Sequence, residues 1–122
     1  MHNNMKLTKS EWKVMELLWE KGEAMTPSQI AECAEGWKPS YVHLLINSLI
    51  KKGAIEVSDF VRTTKKFARA FVPSLTREQC MVREILGESP DGEEILLVVK
   101  ELVKMADDDT KEQIKEFLND GV

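Results

Sequence analysis

The 122-residue sequence predicts a mainly α chain with a small β-wing: a winged helix-turn-helix domain over residues 1–74, then a helical domain over 75–122. Three observations predict it. Three stretches of helical period precede Gly53, and the apolar pattern then switches to alternation in two short runs that end at Pro73. Helical period returns after Thr76, in a part of the chain with a different charge. Residues 1–75 carry 11 Lys and Arg against 8 Asp and Glu, whereas residues 76–122 carry 6 against 13. The overall charge of −4 thus hides a basic front and an acidic tail.

The first helix is expected over 9–21. Thr8-Lys9-Ser10-Glu11 is a capping box, in which the Thr hydroxyl and the Glu side chain each satisfy a backbone N–H. Trp12, Val14, Met15, Leu17, Leu18 and Trp19 are apolar over more than one face, so this helix belongs in the core. Lys21-Gly22 closes it. Glu23 to Met25 is short and extended, a minimal strand. Thr26-Pro27-Ser28-Gln29 then opens a second helix with both a capping box and a proline at the first helical position. Ile30, Ala31 and Ala34 are expected to face inward, with the end near Glu35-Gly36.

The third helix, over 39–52, organises the chain. Val42, Leu45, Ile46, Leu49 and Ile50 make one apolar stripe, and Lys51-Lys52-Gly53 marks its end. Ser40, His43, Asn47, Ser48 and Lys51 face away from that stripe, with Leu44 among them and Tyr41 at the edge. A surface helix ordinarily fills such a face with Glu and Lys, yet here there is no acid. Short side chains that donate and accept suit a groove lined with phosphates and base edges. Ser40, Tyr41, His43, Leu44, Asn47 and Ser48 are therefore the candidate base-reading residues, with Leu44 either meeting a thymine methyl or being a partly covered surface leucine.

Ile55 and Val57 alternate with Glu56 and Ser58, and Phe67, Arg69 and Phe71 alternate with Ala68, Ala70 and Val72. These are two strands joined around Val61–Lys65, and alternation leaves both faces of the second strand open as the buried one. Three helices followed by a basic-tipped hairpin is the winged helix-turn-helix order, with the hairpin over 55–72 as the wing. Lys38, Lys51, Arg62, Thr63, Lys65 and Lys66 are the candidate phosphate and wing contacts, adding affinity with little sequence information.

Beyond Pro73, Thr76-Arg77-Glu78-Gln79 is a third capping box, leading Met81, Val82, Ile85 and Leu86. After the break GESPDG, residues 93–105 form a strongly apolar helix. Thr110 to Gln113 is expected to cap the last helix, with Asp107, Asp108 and Asp109 against its positive end. Three short helices cannot bury so much apolar surface alone, so a homodimer is expected, the alternative being that the apolar helix packs back on the N-terminal domain of its own chain. Its contacts are Met81, Ile85, Ile95, Leu96, Val99, Leu102, Val103, Phe117 and Leu118. A two-fold pair would present two recognition helices to a pseudo-palindrome.

The remaining signals narrow the function class. No apolar run approaches the ~18 residues that span a bilayer, and MHNNMKLTKS lacks the apolar centre of a signal peptide, so no membrane partner is expected and the cytoplasm is the simple location. Cys33 and Cys80 form no paired spacing and read as buried small hydrophobes. No metal-ligand spacing, phosphate loop or nucleophile–base pairing stands out, so neither a cofactor nor an enzyme is expected. The reading is a transcriptional repressor bound to double-stranded operator DNA. Its alternative is a winged-helix protein-interaction adaptor without sequence-specific DNA binding.

The stretches LTKSEWKVMELLWEKGEAMTPSQIAE, W-x-P-x-x-V-x-x-L-I-x-x-L-I-K-K-G-A-I from Trp37 to Ile55, and F-V-P at Phe71 to Pro73 resemble the penicillinase repressor family over nearly the whole chain. That family comprises repressors of β-lactamase and methicillin-resistance genes and their copper-responsive relatives. The resemblance implies a winged-helix DNA-binding domain, a helical dimerisation domain and repression at a pseudo-palindromic bacterial operator. Similar members usually carry Thr where Tyr41 and Leu44 stand and Arg where Ser48 stands. The tail FLNDGV lacks the paired cysteines of the copper-responsive branch, and the Asn-Phe pair cut in the antibiotic-responsive branch is also missing. The resemblance leaves an upstream sensor or protease as a further partner class.

Overall fold

The computed structural model describes residues 6–62 and 67–121, for residues 59–62 and 67 the backbone alone. Its described elements run α1 (Lys9–Lys21), α2 (Pro27–Cys33), α3 (Pro39–Lys51), β1 (Ile55–Arg62), β2 (Phe67–Pro73), α4 (Arg77–Leu86), α5 (Gly92–Met105) and α6 (Asp108–Asn119). They fall into two compact units, Met1–Gly87 and Glu88–Val122. The first unit is a winged helix. It continues through α4, past the division expected at residue 74.

Local chemistry accounts for most of the boundaries. All three threonine boxes form: Thr8 with Glu11, Thr26 with Gln29 and Thr76 with Gln79, each side chain meeting the other's backbone N–H. Gly22 ends α1 in the left-handed region at φ 67°, where a Cβ would be strained. The end of α2 comes earlier than the expected Glu35-Gly36. Ala34 leaves the helix in an extended conformation while fully buried, and Gly36, at φ 85°, turns the chain so that the Trp37 N–H meets the Ala34 carbonyl at 3.1 Å.

The core is where the stripes of α1, α2 and α3 meet. Val14, Met15 and Leu18 from α1, Ile30 from α2, and Val42, Leu45, Ile46 and Leu49 from α3 are buried together with Ile55 and Phe71. Burial contributes about 1.5–3 kcal/mol for each large aliphatic side chain. Four of them hold α3 far more firmly than helix propensity can over 13 residues. Ile50 departs from the expected stripe and is 38% exposed. Eight residues at 100° each leave it about 80° round the helix from Val42.

β1 and β2 pair antiparallel from Ile55 opposite Pro73 to Arg62 opposite Phe67, with a register shift between Val57 and Asp59. Met25 supplies the expected minimal strand. It exchanges both backbone hydrogen bonds with Phe71, at 3.0 and 2.8 Å. At its base β2 is covered on both faces: Phe71 and Ala70 are both buried, which settles the open question of its inward side.

The second unit is two amphipathic helices. Asp91 caps α5 and Asp107 caps α6, each accepting from a backbone N–H at 2.8 Å. The cap of α6 is thus Asp107 rather than Thr110, because a carboxylate gains from the helix dipole as well as from the hydrogen bond. Among the described residues, neither helix buries a side chain. No described helix is long and apolar enough to cross a membrane.

Candidate nucleic-acid interface

Pro39 opens α3 at its first position, and the buried stripe fixes which side faces outward. Ser40, His43, Leu44, Asn47 and Lys51 lie exposed on that side, with Leu44 at 67%. The helix carries no acidic residue along its 13 positions. Lys38 stands exposed just before its first turn, so the outward face is bracketed by a cation at either end. Polar hydrogen-bonding groups between two cations match a phosphate-lined groove.

Around the first turn of α3, Trp37 packs edge-on against Tyr41 with ring centroids 5.4 Å apart, and the Lys13 ammonium of α1 lies 5.4 Å from the Trp37 centroid. The Tyr41 hydroxyl donates to Ser10 Oγ at 2.7 Å. Tyr41 is therefore engaged with α1 through its hydroxyl, while the residue as a whole remains 39% exposed. It borders the outward face rather than forming its centre.

Ser48 requires a correction. Its hydroxyl donates to the carboxylate of Glu11, so it turns toward α1 and does not belong to the outward set. Lys52, one turn further along, donates to the same carboxylate at 2.6 Å and to the Lys6 carbonyl at 2.8 Å. Glu11 is 2% exposed, and its Oε1 also accepts the Thr8 N–H at 2.8 Å. Burial pushes the Glu11 carboxyl up, but the hydrogen bonds from Lys52, Ser48 and Thr8 and the Lys52 charge outweigh it and hold the group below the ordinary 4.5. Sequence reasoning missed this centre. The available signal was the wheel: Ser48 lies about 80° round from Ser40, on the side toward Lys52 at about 120°.

The wing's basic residues divide. Arg69 lies over the Phe71 ring at 5.7 Å at the root of β2. Arg62 is placed at the end of β1 by its backbone alone. Its side chain, together with Thr63, Lys65 and Lys66, lies outside the described residues.

Of the expected dimer contacts, Met81, Ile85, Ile95, Leu96, Val99, Leu102, Phe117 and Leu118 are exposed and Val103 is half-buried. The cysteines separate: Cys80 is buried, whereas Cys33 is exposed at the end of α2, contrary to expectation. Only Ile30 of α2 is fully covered, so the helix has too narrow an inward stripe to take the thiol with it. Among the described residues, no group of three or more His, Cys, Asp or Glu is placed to hold a metal ion.

A model of the penicillinase repressor family matches residues 7–120. Among solved structures, the chain is similar to ZitR of Lactococcus lactis, a zinc-responsive MarR family member. The two share 23% identity with a TM-score of 0.48, over 96% of this chain and 75% of that one. Two single-residue mutants of the same protein give 24% identity with TM-scores of 0.47 and 0.48, over 98% and 75%. No curated protein matches the sequence significantly.

Proposed function

The chain belongs to the penicillinase repressor family, a family of transcriptional regulators, and from that premise we propose that it is a cytoplasmic repressor that binds a pseudo-palindromic operator as a homodimer. The observation that carries the reading is the outward face of α3, an acid-free set of Ser40, His43, Leu44 and Asn47 between Lys38 and Lys51. Inserted in a major groove, Asn47 and His43 would meet base edges, Leu44 a thymine methyl, and the two lysines phosphates. Tyr41 flanks them. Arg62, Thr63, Lys65 and Lys66 on the wing add backbone or minor-groove contacts.

Residues 1–74 would supply DNA binding and residues 75–122 dimerisation. What supports the pairing is apolar surface in excess of what one chain covers. Leu96, Leu97 and Leu102 of α5 are each more than half exposed, as are Phe117 and Leu118 of α6. Several such side chains left in water favour association.

Selection of bound sequences from a random duplex pool at near-physiological salt tests the proposal. The expected product is an inverted pair of half-sites about 10 base pairs apart, or a multiple of that spacing. Affinity should fall steeply with salt, as counterions released from phosphates require. Failure to enrich any duplex, with a protein partner recovered instead, would favour an adaptor.

A further inference from the structure

We propose, on the DNA-binding reading above, that Glu11 is a positioning residue for α3: through Ser48 and Lys52 its buried carboxylate sets the pose of the recognition helix, and so its discrimination between half-sites, without touching DNA.

The three capping boxes of this chain make the comparison internally. Gln29 and Gln79 accept the Thr26 and Thr76 N–H groups at 2.8 Å, the distance at which Glu11 accepts that of Thr8. A neutral amide therefore completes a cap in this protein. Gln29 and Gln79 are exposed, whereas Glu11 is almost wholly buried, where an ionised group is costly unless paired. The charge stands where capping does not need it.

What the charge does is join segments distant in sequence. One oxygen takes the Thr8 N–H and the Lys52 ammonium, and the other takes the Ser48 hydroxyl. Lys52 continues to the Lys6 carbonyl, so the residues before α1, the first turn of α1 and the last turns of α3 share one centre. Ser48 and Lys52 are the direct sequence neighbours of Asn47 and Lys51, which lie on the outward face. A side chain about 5–6 Å from the helix axis moves about 1 Å when the helix rotates by about 10°. Binding constellations tolerate displacements of about 0.5 Å. Loosening the centre would therefore misplace Asn47 more than it would misplace a long, flexible lysine against a phosphate.

The test compares the wild type with Glu11→Gln, Ser48→Ala, Lys52→Met and Lys52→Arg, each held well below its unfolding midpoint. Affinity is measured on the selected duplex and on a scrambled duplex of equal length, across a salt series. For Glu11→Gln and Lys52→Met, the expected result is about the tenfold loss on the selected duplex that one misread base pair causes, with the scrambled duplex nearly unaffected. Ser48→Ala should show a smaller loss of the same kind, and Lys52→Arg should retain discrimination. Lys52→Met should keep the wild-type salt slope, because its ammonium faces Glu11; Lys51→Ala should lower that slope by about one. An unchanged ratio of selected to scrambled affinity in every folded variant overturns the proposal. If Glu11→Gln does not fold, an unchanged ratio in Ser48→Ala and Lys52→Met overturns it equally. Wild-type protein without salt-dependent duplex binding overturns the DNA-binding reading itself, and this proposal with it.

Discussion

The Trp12 indole N–H of α1 donates to the Glu84 carboxylate of α4 at 2.7 Å, across 72 residues of sequence. Seven residues further along α1, the Trp19 indole donates to the Leu75 carbonyl at 3.0 Å, and the two indoles meet edge-on with centroids 5.9 Å apart. The pair seats α4 on α1 and explains why the first compact unit extends to Gly87. Replacing Glu84 by Ala leaves a half-covered indole N–H without its acceptor, which should cost about 1–2 kcal/mol in urea unfolding. Glu84→Gln keeps an acceptor and should recover most of it. Tryptophan emission should shift in the first variant and hardly in the second.

The helix α2 is only seven residues long, too short to hold itself, and its cap Thr26 is 5% exposed. Thr26→Ala should lower stability by about 2 kcal/mol, the upper end for a lost cap. Thr76→Ala removes the same bonds from an exposed cap and should cost about half as much. Equal losses in thermal or urea unfolding would show that burial does not strengthen the first cap.

Acid should weaken the protein in a window set by Glu11. Burial acts to raise its folded-state pKa, but the bonds from Lys52, Ser48 and Thr8 outweigh that and leave it below 4.5. A depressed carboxyl stabilises the fold while ionised, so its contribution is complete above pH 4.5 and is lost as pH falls through the lower folded value. Urea midpoints of Glu11→Gln measured from pH 7 to 3 should therefore decline less below pH 4.5 than those of the wild type.

The two thiols should react at very different rates. Cys33 is exposed, whereas burial pushes the Cys80 thiol up, with Arg83 opposing and Glu84 adding to the shift. A thiol reagent at neutral pH should label one site rapidly and the second only as the protein unfolds. Mass spectrometry should place the fast label on Cys33.

Association should depend on the apolar face of α5. Leu102, 58% exposed in the single chain, is a suitable probe, because more than half of it lies in water there. Sedimentation at micromolar concentration should show a wild-type dimer and a Leu102→Glu monomer. A wild-type monomer at that concentration would remove the two-fold arrangement on which the operator geometry rests.

Much of this architecture is written in local sequence. A capping box brings together residues three apart, and an amphipathic stripe or the change of period at Ala54 spans a few turns, so neighbours along the chain suffice to specify them. The order of elements, the three threonine caps and the outward face of α3 at Ser40, His43, Leu44 and Asn47 were legible for that reason. Tertiary structure decided the rest. Ser48 looked outward by residue type, yet its hydroxyl meets a carboxylate 37 positions away. Lys52 looked like one more charge marking the end of α3 and is committed to the same partner. The covered faces of Ala70 and Phe71, and the seat of α4 beneath Trp12, likewise depend on which distant surfaces come to lie against them. Periodicity reports that a side chain is turned inward or outward; only packing of the assembled chain determines what it meets there, because such contacts carry no fixed spacing in sequence.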